Sequence, residues 1–212
     1  MRCRTFFGIV TVAILLAACG STSQSAHAPD STNTTRPSSS NEPQTATPPA
    51  DTPSNLPTVS DPINPDPWEQ TPCNVLTQKQ LDRLSIETSP ESREGSTGPE
   101  CEWGDLFDDK ISIDGSFSAK VDGSIKGLYK NNDLGRYAYF KPTTINGRPV
   151  FFHDLSDGRG AGLCSIFIAL RDDYIYGLGV ALHDEHPSYD DPCSVLKDVA
   201  EMAVDTMSGG GS

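Results

Sequence analysis

The sequence has few basic residues and no compact cluster of them. Its 212 residues include 16 Lys and Arg against 29 Asp and Glu, and the formal net charge is −13. Binding to nucleic acid or to anionic lipid depends on a basic surface that meets phosphate and releases counterions. The composition therefore disfavours both partners, and acidity of this size favours solubility without naming a ligand.

Motifs of common catalytic and cofactor sites are also missing. The sequence contains no Gly-x-Ser-x-Gly elbow, no dinucleotide fingerprint and no pair of cysteines at zinc-ligand spacing. Gly158-Arg159-Gly160-Ala161-Gly162 is rich in glycine, but it leads into a predicted strand and offers no helix N-terminus to bind phosphate. We therefore predict no catalytic, cofactor-binding or metal-binding residues.

Two histidine-containing segments leave an alternative open. Loop 183–191, which includes His183, His186 and Asp191, could gather imidazoles and carboxylates around a divalent cation. His153, followed by Asp154, could join a serine in a catalytic triad. Neither spacing is specific. The favoured interpretation of residues 183–191 is a polar loop, and that of His153 is an ordinary strand residue. The alternative is an envelope enzyme or a divalent-metal-binding carrier.

The apolar run near the N-terminus is too short to cross a membrane. Residues 6–18 form a run of 13 residues, whereas a spanning helix needs about 20. Arg2 and Arg4 precede the run, and Leu16-Ala17-Ala18-Cys19 ends it. This pattern predicts a signal peptide over residues 1–18 that is not part of the fold.

The same segment resembles the signals of bacterial lipoproteins. The resemblance implies that a diacylglyceryl group is attached to the Cys19 thiol and that cleavage occurs just before it. Two acyl chains such as palmitate hold a protein stably at a bilayer, at roughly 0.8 kcal/mol per buried CH₂. We therefore expect a lipid-anchored protein on the extracytoplasmic face of the cell membrane. An ordinary secretory signal cut after Ala18 is the alternative.

Residues 19–69 are predicted to form a disordered tether rich in Ser, Thr and Pro. Ten prolines lie between Pro29 and Pro67, and almost no aliphatic residue precedes Leu56. Such a composition cannot bury enough apolar surface to offset the conformational entropy of folding. A single domain over residues 70–208 and a flexible tail over residues 209–212 are predicted to follow.

Four cysteines remain after the signal peptide and the lipidated cysteine are set aside: Cys73, Cys101, Cys164 and Cys193. An even number in an exported domain predicts two disulfides, with three pairings open in principle. The local pairing, Cys73 with Cys101 and Cys164 with Cys193, is favoured. It would join each of two predicted helix starts to a predicted strand, and each closure contributes roughly 3.5 kcal/mol in the chain-entropy model.

Hydrophobic periodicity predicts an α+β domain with an antiparallel sheet of five or six strands and two or three helices. The predicted helices cover residues 72–86, 125–132 and Pro192–Met207. Thr77 and Gln80 have capping-box spacing. The predicted strands include residues 111–118, 137–141, 145–154, 163–170 and 174–182. The second and third are expected to join at residues 142–144, with Asn146-Gly147 as a further turn or bulge, and the last two through residues 171–173. A helix is expected to approach the face that holds Gly177 and Gly179.

Several short motifs together resemble a known family: Pro72-Cys73, Cys101-Glu102-Trp103, Ile145-Asn146-Gly147-Arg148-Pro149 and Asp191-Pro192-Cys193. With the predicted lipidation signal and tether, they are similar to actinobacterial cell-surface lipoproteins of a domain-of-unknown-function family. The resemblance covers about residues 72–207. It implies an anchored, cysteine-paired α+β module and supplies no activity or cofactor.

The sequence therefore favours a non-enzymatic binding, sensor or interaction module of the cell envelope. Its expected partners are the membrane, through the N-terminal lipid, and an envelope protein or small ligand. A deep pocket that joins His153, His183 or His186 to several carboxylates would favour the enzyme or metal carrier. A shallow sheet surface would favour the binding module.

Overall fold

The computed structural model describes residues 55–118 and 124–209. The predicted signal peptide, Cys19, most of the predicted tether and the end of the predicted tail lie outside these residues. The helices are α1 (Asp66–Gln70), α2 (Gln78–Arg83), α3 (Ile125–Asp133) and α4 (Pro192–Met207), with 3₁₀ helices at Pro72–Val75 and Gly158–Ala161. The strands are β1 (Glu91–Glu94), β2 (Pro99–Trp103), β3 (Ile111–Ser118), β4 (Tyr139–Ile145), β5 (Arg148–Asp154), β6 (Leu163–Arg171) and β7 (Tyr174–Leu182). None of the helices in the two described ranges has the length and apolar character that a bilayer crossing requires.

All seven described strands form one antiparallel sheet in the order β1-β2-β3-β7-β6-β5-β4. The α+β class is confirmed, but the described residues hold seven strands and four α-helices, more than the five or six strands and two or three helices predicted. Strand β1 has the sequence Glu-Ser-Arg-Glu and is fully exposed. It shows no apolar alternation, so periodicity gives no sign of it.

The main hydrophobic core lies between one face of the sheet and α4. Helix α4 has the predicted bounds, and its apolar stripe includes Leu196, Val199 and Ala203, all fully buried. Asp191 occupies the N-cap position, but its side chain makes no capping hydrogen bond. The inward positions of the strands belong to the same cluster, with Trp103 among its largest fully buried side chains.

Both disulfides follow the local pairing. Cys73 is bonded to Cys101, and Cys164 is bonded to Cys193. The first joins the 3₁₀ helix Pro72–Val75 to β2, and the second joins the first turn of α4 to β6. The predicted connection of helix starts to strands is therefore confirmed.

The predicted first helix is interrupted. Leu76 is extended, with φ −110° and ψ 128°, and a new helix begins after Thr77. The Oε1 atom of Gln80 accepts a hydrogen bond from the Thr77 backbone N–H at 2.7 Å. The capping box is thus present. It starts a separate helix, because the N-cap residue and the residue before it have non-helical backbone angles.

Both predicted hairpins are shifted. The turn between β4 and β5 is Asn146-Gly147, whose φ values are +50° and +77°, as a two-residue hairpin turn requires. The predicted joint at residues 142–144 lies inside β4, where an edge strand tolerates proline. Strand β6 continues to Arg171, and the connection to β7 shortens to two residues.

Residues 56–63, which the sequence placed in the tether, pack against the domain; we call them the strap. Leu56 and Val59 contact a smaller apolar cluster, and Ile63 is 6% exposed. The Val59 N–H donates to Asp172 Oδ1 at 2.7 Å, and the Ile63 N–H donates to Leu170 O at 3.0 Å. The folded part therefore begins before residue 70, because a few apolar residues suffice where a finished surface is available to them.

Candidate functional site

The second face of the sheet is apolar near the β6–β7 turn and polar farther along. Helix α3 places Ile125 and Leu128 against Phe151, Ala169 and Ile175 in the smaller apolar cluster. Beyond this cluster the same face carries polar residues and glycine. The transition occurs in the middle of β7 and β6, and the neighbouring β3 carries only serine and Asp114 on this face.

Four residues on four adjacent strands form a row across this polar part. Asp114 is paired with Gly179, Gly179 with Ser165, and Ser165 with His153. Directly paired residues point to the same face. Because neighbouring strands lie about 4.8 Å apart, the row spans roughly 14 Å of the sheet.

The row crosses a shallow depression of about 120 Å³. We call this surface the open face, and define it by the residues that line the depression: Asp114, Ser116, His153, Ser165, Phe167, Gly177, Leu178 and Gly179. Asp114 is exposed, whereas Ser116, Ser165 and His153 are half-buried. The depression is therefore accessible and lies on regular strands.

Glycine at position 179 leaves space for the Asp114 side chain. A Cβ atom at residue 179 would lie 2.5 Å from Asp114 Oδ1, too close for any real contact. The helix on the face that holds Gly177 and Gly179 is α3, which packs beside Ile175 near the β6–β7 turn, whereas α4 packs on the opposite face. The small residue at position 179 lets a carboxylate lean over the middle of the sheet.

Asp114 carries a carboxylate without an ion-pair partner among the described residues. Partial burial raises the pKa of this carboxyl; the positive charge of Arg93 opposes the rise, and Glu100 and Glu102 add to it. Arg93 donates to Glu100 at 3.0 Å and to Glu102 at 2.7 Å, so its guanidinium is already engaged. Asp114 thus forms no ion pair within residues 55–118 and 124–209, and its own backbone N–H donates to the carboxylate.

His153 lies at the other end of the row with its ring stacked on Phe167. The ring centroids are 3.7 Å apart and the planes differ by 6°. Its Nδ1 atom is enclosed and has no hydrogen-bond partner in the described part of the chain. Burial lowers the pKa of His153 to about 4, against a smaller opposing effect of Asp154. The imidazole is therefore neutral at pH 7.

The pair His153 and Asp154 does not have the geometry of a catalytic dyad. Asp154 Oδ1 accepts from the Ser156 N–H at 3.2 Å, and its Oδ2 accepts from the Gly158 N–H at 2.6 Å. Consecutive strand residues also point to opposite faces. Asp154 therefore holds the following loop and does not orient His153.

Loop 183–191 satisfies its polar groups locally. His183 Nδ1 lies 2.9 Å from Asp184 Oδ1, and His186 Nδ1 accepts from the Ser188 N–H at 3.1 Å. Glu185 pairs with Lys110 at 2.8 Å. Across residues 55–118 and 124–209, no group of three or more His, Cys, Asp or Glu side chains is arranged to hold a metal ion. The polar-loop interpretation agrees with this geometry.

A larger depression, of about 440 Å³, lies beside the start of α4. The Arg159 guanidinium lies 3.7 Å from the centre of the Tyr139 ring and pairs with Asp157 at 2.6 Å. The positive charge of Arg159 is therefore balanced by Asp157, which lines the same depression. Lys141, Asp190 and Asp191 also line this depression, so it holds charges of both signs. The open face is the better candidate, because its polar row lies on regular central strands and carries charge of one sign.

Sequence reasoning named His153 only as an alternative and did not single out Asp114 or Ser165. A signal was available in β3, where a charged residue interrupts an alternation of isoleucine and serine. Glycine inside a strand also indicates that another group approaches the backbone closely. These residues are brought together by the pairing register of β3, β7, β6 and β5, which no short sequence pattern specifies.

The described residues define a class: a disulfide-bonded α+β domain whose sheet is covered by a long helix on one face and partly open on the other. The chain belongs to the DUF3558 family, described as proteins of unknown function, whose profile matches residues 14–206. No match is found among the curated proteins or among the solved structures.

Proposed function

We propose that this protein is a lipid-anchored binding module of the cell envelope that uses the open face to hold its ligand. The observation that carries the binding role is the polar row at the centre of the sheet. An antiparallel sheet can leave one of its faces to water, and on this sheet that face is covered by α3 near the β6–β7 turn and left open farther along. The open part carries Asp114, Gly179 and Ser165 around an accessible depression, which is an arrangement suited to contact with a ligand.

The two disulfides support an extracytoplasmic location. Both bonds stabilise the fold, and such bonds persist in oxidising compartments. The apolar segment before Cys19 and the basic residues at the N-terminus agree with export. The proline-rich residues that follow Cys19 would give the domain a reach of tens of ångströms from the bilayer.

Anchoring is tested by a Cys19→Ser substitution. The wild-type chain should partition into the detergent phase and the membrane fraction, and its mature N-terminal peptide should carry the mass of a lipid on Cys19. The Cys19→Ser chain should lack that mass and, because cleavage follows lipidation, should keep its signal peptide. Cys3→Ser is the matched control, because that cysteine lies in the predicted signal peptide and its loss should leave lipidation and cleavage unchanged. A wild-type N-terminal peptide without the lipid mass would contradict the anchor.

The binding role is tested by nuclear magnetic resonance with a secreted chain that begins at residue 20 and is exported behind an ordinary secretory signal. A fragment set that contains amines, carboxylates and neutral polyols should include members that shift the amide resonances of Ser165, Gly177 and Gly179. The resonances of the outer side of α4 should not move with them. If no chemical class perturbs the open face, the proposed binding role is overturned.

A further inference from the structure

We propose that the open face binds the ammonium group of a small organic amine, with the Asp114 carboxylate as its counter-ion. This inference rests on the proposed binding role of the open face and names the chemical class of ligand. Three features carry it: the charge of the lining, the small number of ligand oxygens, and the size of the depression.

The charge of the lining favours a cation. Asp114 is the one lining residue that carries a formal charge at pH 7, since His153 is neutral. On the adjoining strands, two carboxylates face one arginine: Glu100 and Glu102 share Arg93. The surroundings of Asp114 therefore have a net negative charge, which attracts cations and repels carboxylates and phosphates.

The kinds of atoms present favour an organic cation over a metal ion. Calcium needs six to eight oxygen ligands and magnesium an octahedral set, whereas the open face offers one carboxylate with the hydroxyls of Ser116 and Ser165. An ammonium group needs only one carboxylate and a few acceptors. The Phe167 ring lines the same depression and suits the methylene groups next to the nitrogen.

The volume limits what can enter. A depression of about 120 Å³ equals the space of about four water molecules at roughly 30 Å³ each. This accommodates an ammonium head group with its first carbon atoms and leaves the rest of the ligand in solvent. The space above Gly179 is taken by the Asp114 carboxylate, and Ser116 and Phe167 lie over Gly177, so the groups that would contact the ligand lie close to the backbone.

The probe is n-butylamine, compared with n-butanol as its neutral isostere and butyrate as its anionic counterpart. Each is titrated into the same secreted chain, which begins at residue 20, while amide spectra are recorded. Butylamine should shift Ser165, Gly177 and Gly179 in a saturable manner and bind at least tenfold more tightly than butanol or butyrate. The side-chain carboxyl resonance of Asp114 should shift in the same titration.

The decisive variant is Asp114→Asn, which keeps the shape of the side chain and removes its charge. It should weaken butylamine binding at least tenfold. Asp198→Asn, on the exposed side of α4, makes the same change in net charge and should leave binding unaltered. If Asp114→Asn does not fold, the test uses the chain with Asp114 intact. Its Asp114 carboxyl resonance should shift when butylamine binds, and an unmoved resonance would overturn the assignment.

The outcomes separate the two proposals. If butanol binds as tightly as butylamine, or if Asp114→Asn and Asp198→Asn behave alike, the amine assignment is overturned and the binding role of the open face stands. If polyols or carboxylates shift the amide resonances of the open face and amines do not, the amine assignment is again overturned and the binding role stands. If no fragment class perturbs the open face, both proposals fail.

Discussion

The imidazole of His153 is held in its neutral form by its surroundings. Its ring lies against Phe167, and its Nδ1 atom is enclosed among the described residues without a hydrogen-bond partner. Protonation would place a positive charge in a site that has lost most of its hydration. This explains why the pKa falls from the ordinary 6.5 to about 4.

This pKa difference predicts a pH-dependent stability. Between about pH 6.5 and pH 4, the unfolded chain binds a proton that the folded chain does not. The free energy of unfolding should therefore fall as the pH drops through this window, by up to about 3 kcal/mol from His153 alone. Urea unfolding at several pH values should show a shallower fall for His153→Gln. Equal slopes, or an imidazole resonance that titrates near pH 6.5, would contradict the prediction.

Single residues differ in how far the sequence reveals their roles. The cysteine pairing was predictable because an even number of cysteines flanked two helix starts and two strands. Asp114 and Gly179 were not, because they are partners only through the register of β3 with β7. A pairing between strands distant in the sequence depends on the assembled sheet, and no local pattern specifies it.

At the scale of elements, the strap depends on one buried arginine. Arg148 is 7% exposed, and its guanidinium donates to three backbone carbonyls, two on β6 and that of Asp61 in the strap. The Nη1 atom lies 3.0 Å from Ala169 O. The planar fork of an arginine can reach carbonyls of two segments at once, which the ammonium of lysine cannot.

Replacement of this arginine should loosen the strap before it unfolds the domain. Arg148→Met should lower the free energy of unfolding by about 2–4 kcal/mol, because the carbonyls of Ala169, Leu170 and Asp61 each lose a hydrogen bond, although Leu170 O keeps another, from the Ile63 N–H. Arg148→Lys should recover little of that loss. Limited proteolysis should cut the strap faster in both variants, whereas Arg83→Met, an exposed arginine at the end of α2, should resemble the wild type. Unchanged cleavage of the strap would argue against this role.

Elements with strong periodicity were predicted well, and those set by turns or by docking were not. Helix α4 has the predicted bounds because its apolar stripe and its leading proline act together. The β4–β5 turn was displaced because Pro142 attracts a turn assignment, whereas Asn146-Gly147 supplies the positive φ angles that a hairpin needs. The strap and α1 were not predicted, because their few apolar residues adopt an ordered structure only by packing against the assembled sheet.

At the scale of the whole molecule, the two disulfides act on separate parts of the domain. The bond between Cys73 and Cys101 closes a loop with a sequence separation of 28, and the bond between Cys164 and Cys193 closes one of 29. The two loops do not overlap. Each restricts a different part of the unfolded chain, so their effects on stability should be nearly independent.

This independence can be measured with paired substitutions. Cys73→Ala with Cys101→Ala, and Cys164→Ala with Cys193→Ala, should each lower the free energy of unfolding by about 2–5 kcal/mol. The chain with all four changes should lose approximately the sum, because the two loops restrict different parts of the unfolded chain. Urea unfolding of these variants, made in the secreted chain that begins at residue 20, supplies the three differences in the free energy of unfolding. A quadruple variant no less stable than either double variant would show that the loops are coupled. A Cys164–Cys193 variant that unfolds like the wild type would show that the core beneath α4, and not the bond, holds that helix to the sheet.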